Sequence, residues 1–141
     1  MTMIDWIRRV TSKRPAPHAE ALLNLRNVTR DVALAQYVDV ADHGAKRRRG
    51  LLGQTMLPPG HGLWIIPCEA VHTFGMKFSI DLIYLDRNRR VRKVRTSVKP
   101  GRISGCWSAH SVLELASGTV LRSKTQVGDK VELFTPSMNP A

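Results

Sequence analysis

Hydrophobic positions alternate with polar or small ones from Val32 to Val40. Val32, Leu34, Val38 and Val40 fall on one face of VALAQYVDV, and Ala33, Ala35, Tyr37 and Asp39 on the other. A period of two over this length predicts a strand. Leu22 to Val28 predicts a second strand, paired with it across the polar turn from Asn27 to Asp31. His43 and Gly44 break the alternation, and Ala45 to Gln54 then suits a short helix ending near Gly53, before the turn at Pro58, Pro59 and Gly60. Further strands are expected at Leu63 to Ile66, Phe78 to Leu85, Val91 to Thr96, Ser111 to Leu115 and Lys130 to Phe134. Asp86 to Arg90 reads as a hairpin turn, and Gly118 and Gly128-Asp129 as later turns.

At the N-terminus, Met3, Ile4, Ile7 and Val10 recur at helical spacing, with Thr2 and Asp5 placed as a weak capping box. Lys13 to Ala19, containing Pro15 and Pro17, reads as a linker. Many short strands punctuated by Gly and Pro, with little helix, argue against an α/β sheet, which needs repeated crossover helices. The expected fold is mainly β: a compact antiparallel barrel or sandwich with one or two short helices. Residues 21–135 form its single domain, residues 1–20 the helix and linker, and residues 136–141 a tail.

Composition narrows this picture. A chain of 141 residues with 43% hydrophobic content supports one core and needs neither disulfides nor metal merely to fold. Its two cysteines, Cys68 and Cys106, are too few for a disulfide framework and fit a reducing compartment. Charges interrupt the first twenty residues before an apolar run of signal-peptide length develops, and no later segment reaches the length of a membrane span. A cytoplasmic protein without a membrane span is expected.

The net charge of +11 raises the expectation of an acidic partner. One basic cluster is Lys46 to Arg49. The other comprises Arg87, Arg89, Arg90, Arg92, Lys93, Arg95, Lys99 and Arg102, with no carboxylate between Arg87 and Arg102. Aromatic residues make up only 6% of the chain and none lies inside either cluster, so the stacking platform usual for single-stranded nucleic acid is missing from the sequence neighbourhood. A solvated, solubilising surface is therefore the favoured reading of the charge, and a nucleic-acid partner the less favoured one.

Candidate chemistry concentrates in WIIPCEAVHTFGMKFSIDLIYLD, residues 64–86, where polar groups are embedded in apolar sequence. Burying such groups without a partner is costly, so each is either satisfied structurally or held in a pocket. On a strand, Asp81 shares a face with Ile83 and Leu85, while Glu114 shares one with Val112. A carboxylate therefore sits on each of two core-like strands, where Arg47, Lys77 or His72 are available to pair with it. Cys68, His72 and Met76 recur every four residues, a spacing that stacks soft metal ligands on a helix. Gly75 and Pro67 disfavour a helix there, and zinc normally takes four closely paired Cys and His ligands. Catalysis by Cys68 with His72 has the right residue types but no recognisable hydrolase signature. Glycine-rich phosphate loops are absent.

RRRGLLGQ at residues 47–54, CEAVHTFGMKFSIDLIYLD at 68–86, VLELASG at 112–118 and the Gly128-Asp129 pair follow one another in an order that resembles the domain of unknown function family numbered 192. The similarity spans roughly Asn24 to Leu133. Arg47 with Gly50 and Leu51, Met76 with Lys77, Asp81 and Glu114 match its motifs. The resemblance implies a compact, mostly β domain of about this length and supplies no reaction.

The leading reading is a non-enzymatic ligand-binding or accessory protein. Its pocket of Arg47, Cys68, His72, Met76, Asp81 and Glu114 takes a small ligand or partner segment, with no cofactor or metal. The alternatives are nucleic-acid binding through Arg87, Arg89, Arg90, Arg92, Lys93 and Arg95, and a small metal- or Cys-dependent hydrolase.

Overall fold

The computed structural model describes residues 23–49 and 51–135. The expected N-terminal helix, linker and C-terminal tail lie outside the described residues. The elements are β1 (Leu23–Asn27), β2 (Val32–Ala41), α1 (Gly44–Arg49), β3 (His61–Ile65), β4 (Ala70–His72), β5 (Ile80–Leu85), β6 (Val91–Val98), β7 (Ile103–Gly105), β8 (Ser111–Ala116), α2 (Thr119–Ser123) and β9 (Val131–Phe134). Seven strands form one sheet in the order β6-β5-β8-β3-β2-β1-β9, and β4 and β7 form a separate ribbon. The chain is mainly β, as its alternation predicts.

One pairing departs from the antiparallel expectation: β2 and β3 run parallel, from Tyr37 opposite His61 to Ala41 opposite Ile65. Parallel neighbours cannot be joined by a tight turn and need a crossover. Residues 42–60, which include α1, supply it. The helix does not run on to Gln54, because residues 51–53 form a turn. Lys46 Nζ donates to Asp39 Oδ1 at 3.1 Å, holding the short helix against β2.

The sheet curls until its edge strands touch at one end. Arg90 and Lys130 form an isolated antiparallel bridge, with Val91 N–H donating to the Asp129 carbonyl at 2.8 Å and Val131 N–H to the Arg89 carbonyl at 3.0 Å. The inside of the curl is filled by Leu25, Leu34, Val38, Ile83, Leu85, Leu113 and Leu115, with Val120 of α2 packed among them. Ile80, Leu82, Tyr84, Val112, Leu63 and Ile65 form a second cluster on the opposite face, with Leu51 and Met76. Because both faces are covered, β5 is buried at every position and reads as a nearly continuous apolar run.

The roof over the second face is the part that sequence periodicity misses. β4 and β7 are three residues each, too short to show a period of two. Their ladder pairs Ala70 with Gly105, Val71 with Ser104 and His72 with Ile103. The buried Tyr84 hydroxyl donates to Ser104 Oγ at 2.8 Å, fastening this ribbon to β5. Thr73 pins its end by accepting from Arg102 N–H at 2.9 Å and donating to the Lys99 carbonyl at 2.7 Å.

A candidate ligand site around Glu114

Between the roof and the sheet lies a cleft of about 470 Å³. Leu51, Leu52, Ile65, Val71 and Met76 supply its apolar wall, and Arg47, Cys68, His72 and Glu114 its polar groups. Five of the six residues expected from sequence thus line one cavity. Cys68, His72 and Met76 reach it without helical stacking, carried by the loop before β4, by β4 itself and by the turn that follows. In that turn Met76 N–H donates to the Thr73 carbonyl at 3.2 Å, and Gly75 takes φ +80°, a conformation that favours glycine.

Glu114 is the unusual member. On β8 it sits directly between Leu82 of β5 and Leu63 of β3, both buried, and its own side is 3% exposed. Its Oε2 is buried with no hydrogen-bond partner. Removal from water pushes its carboxyl up from 4.5 to about 7, as expected for a carboxylate with no cation to stabilise it. Arg47 also lines the cleft, yet its Nη1 donates to the backbone carbonyls of Asp42 at 3.1 Å and Ile66 at 3.5 Å.

Cys68 does not resemble an activated nucleophile. Burial pushes its thiol upward, and the negative potential of Glu114 adds to this; the backbone hydrogen bond and Arg47 only partly oppose it. Its Sγ donates to the Ala70 carbonyl at 3.1 Å. Reactive cysteines need the opposite environment, one that favours thiolate. Among the described residues, no group of three or more His, Cys, Asp or Glu is arranged to hold a metal ion.

The placement of Asp81 in the pocket is corrected by its geometry. It lies on the other face of the sheet, as the period of two requires once Glu114 and Leu82 are known to be lateral neighbours. Its Oδ1 accepts from Ser97 N–H and its Oδ2 from Val120 N–H, both at 2.8 Å. Ser97 has φ 47° at a register shift of β6 against β5. Asp81 therefore supplies the acceptor that a bulge withdraws from the ladder and also satisfies an N–H in the first turn of α2, which has no side-chain cap of its own.

The basic residues lie on β6 and the turn before it. Arg89 has a carboxylate, Glu132, at 3.8 Å. The others bond to neutral groups: Arg90 Nη1 to the Gly128 carbonyl, Arg92 Nε to Ser108 Oγ and Lys93 Nζ to the Gly105 carbonyl. Arg95 Nη1 reaches the Ile103 carbonyl at 3.5 Å, and Arg87 is exposed. Trp107, absent from the basic stretch in sequence, is brought beside it by the turn after β7 and is 97% exposed. No local sequence signal marks it, since its position depends on how β7 packs.

No helix among the described residues is long and apolar enough to cross a membrane. The curled fold is shared with a crystal structure from Sinorhizobium meliloti, described as a "putative transcription regulator". The two are 21% identical with a TM-score of 0.70, over 79% of this chain and 91% of that one. A protein of unknown function from Novosphingobium aromaticivorans gives a TM-score of 0.69 at 20% identity, over 88% of this chain and 96% of that one. Among curated sequences, UPF0127 proteins of Pyrococcus abyssi and Pyrococcus horikoshii are 36% and 34% identical, each over 77% of this chain and at least 96% of their own length. Residues 26–133 match the family described as "Uncharacterized ACR, COG1430", and the chain belongs to this family, the domain of unknown function 192.

Proposed function

We propose that this protein is a non-enzymatic ligand-binding protein that works in the cytoplasm and takes a small amphipathic ligand, or the side chain of a partner segment, into the cleft around Glu114. The observation that carries this reading is the partnerless, buried Glu114 oxygen in a mostly apolar cavity. A ligand group with an N–H donor completes Glu114, the apolar wall takes its hydrocarbon part, and Arg47 lies in the same cleft to meet an acceptor. Two free cysteines agree with a reducing compartment. The raised Cys68 thiol speaks against the hydrolase alternative.

Native mass spectrometry of the protein purified gently from its own cells, without chelator, tests this. A stoichiometric added mass that disappears in Glu114→Gln is the expected result. A wild-type protein carrying no added mass, or one whose added mass survives Glu114→Gln, overturns the assignment.

A further inference from the structure

Trp107 occupies the tip of a tight turn, closed by Ala109 N–H donating to the Cys106 carbonyl at 3.0 Å. The turn is fixed at both ends: Cys106 N–H donates to the Glu69 carbonyl at 2.8 Å and His110 N–H to the Leu85 carbonyl at 2.7 Å. An indole held on a rigid mount and left 97% in water contributes nothing to the core. Cations are bonded to the segment that carries it. Arg92 grips Ser108, the next residue, at 3.1 Å, and Lys93 grips Gly105, two residues earlier, at 2.7 Å. Arg95 reaches Ile103, which is itself 71% exposed. These contacts are to a hydroxyl and to carbonyls, so they position the three charges without cancelling them; none of the three forms a carboxylate ion pair among the described residues.

We propose that Trp107 with Arg92, Lys93 and Arg95 forms a docking surface for single-stranded nucleic acid, separate from the Glu114 cleft. An exposed aromatic face accepts any unpaired base, and cations in file along a strand track a phosphate backbone. The excess of positive charge over the whole chain, +11, favours the same polyanion. A duplex fits less well, since the two described helices have six and five residues and offer no recognition helix for the major groove. A lipid surface fits less well too, because the cations run in a row beside one indole instead of ringing an apolar disc.

The test is fluorescence anisotropy of the full chain with labelled dodecamers of uridine and of thymidine, and with a duplex of equal length, at several salt concentrations. The single strands are expected to bind, with affinity falling as salt rises. Trp107→Ala is expected to weaken binding by about tenfold or more. The double variant Arg92→Gln with Lys93→Gln is expected to lower the salt slope by about 1 to 2. Because Trp107 is almost fully exposed, unchanged thermal unfolding of Trp107→Ala shows that the loss is local. Glu114→Gln is expected to bind normally, which keeps this site distinguishable from the cleft. Equal binding by Trp107→Ala, tighter binding to the duplex, or capture by phosphatidylserine vesicles with no oligonucleotide binding would overturn the proposal.

Discussion

The two carboxylates on the central strands solve burial in opposite ways. Asp81 spends both oxygens on backbone N–H groups, so removing it leaves two orphaned donors. Each buried orphan costs about 1 to 3 kcal/mol. Asp81→Ala is therefore expected to lose about 2 to 5 kcal/mol of stability, read as a shift in the denaturant midpoint, while a destabilisation below about 1 kcal/mol would contradict this structural role. Glu114 has no such partners, and Cys68 beside it is pushed toward its neutral thiol. Alkylation of Cys68 by iodoacetamide at neutral pH is expected to be slower than that of a free cysteine; faster reaction would revive the nucleophile reading.

At the scale of elements, the turn before β9 is held by one carboxylate. Asp129 Oδ2 accepts from Asn27 Nδ2 at 2.9 Å, Arg30 Nε at 2.6 Å and Gln126 N–H at 3.0 Å, tying β1 to the Gly128-Asp129 turn across about a hundred residues of sequence. Burial works against its ionisation, but the hydrogen bonds from Asn27, Arg30 and Gln126 outweigh it and hold the carboxyl below 3.8. A depressed acid stabilises the fold above its unfolded value, and that contribution is lost as pH falls through the folded value. Asp129→Ala should cost about 2 to 3 kcal/mol at neutral pH and lose its effect in acid, where the wild-type carboxyl is protonated as well; an effect of equal size at both pH values would show that the charge is irrelevant. The β3–β8 contact makes a second demand. A Cβ on Gly62 would lie 2.7 Å from Leu115 Cδ2 and 3.2 Å from the Glu114 carbonyl, so Gly62→Ala requires the buried Leu115 side chain to turn away and the β8 backbone to give slightly. It is expected to lower the melting temperature, and an unchanged melting temperature would mean that β8 yields freely.

For the whole molecule, what was legible in the sequence follows from length of pattern. β2 carries enough alternation to be found, and β5 and β8 enough apolar sequence, but the split of Asp81 from Glu114 onto opposite faces emerges only from the lateral pairing of Leu82 with Glu114. The parallel β2–β3 pair was not legible, because alternation fixes which face a residue takes and says nothing about the direction of its neighbour. β4 and β7 were missed because three residues hold less than a full alternation, and α2 because five residues make little more than one helical turn. Trp107 was missed because the packing of the ribbon, and not chain proximity, sets it beside the cations. The cleft was reached largely through isolated polar residues in apolar surroundings, a cue that located Glu114 and misplaced Asp81, since both look alike until their partners are seen.

The central claim is that Glu114 costs the fold stability and is held in place for what it binds. Its carboxyl is raised from 4.5 to about 7, so between those values the folded state holds more protons than the unfolded one, and stability falls as pH rises through that window. The displacement corresponds to about 3 kcal/mol. The decisive measurement is the unfolding free energy of Glu114→Gln against wild type at pH 5 and pH 8. The account predicts that the substitution gains about 2 to 3 kcal/mol on wild type between the two pH values, with the variant the more stable protein at pH 8. A variant that is less stable at pH 8, or a difference that does not move with pH, would show that Glu114 is satisfied within the fold and that the cleft is part of its architecture alone.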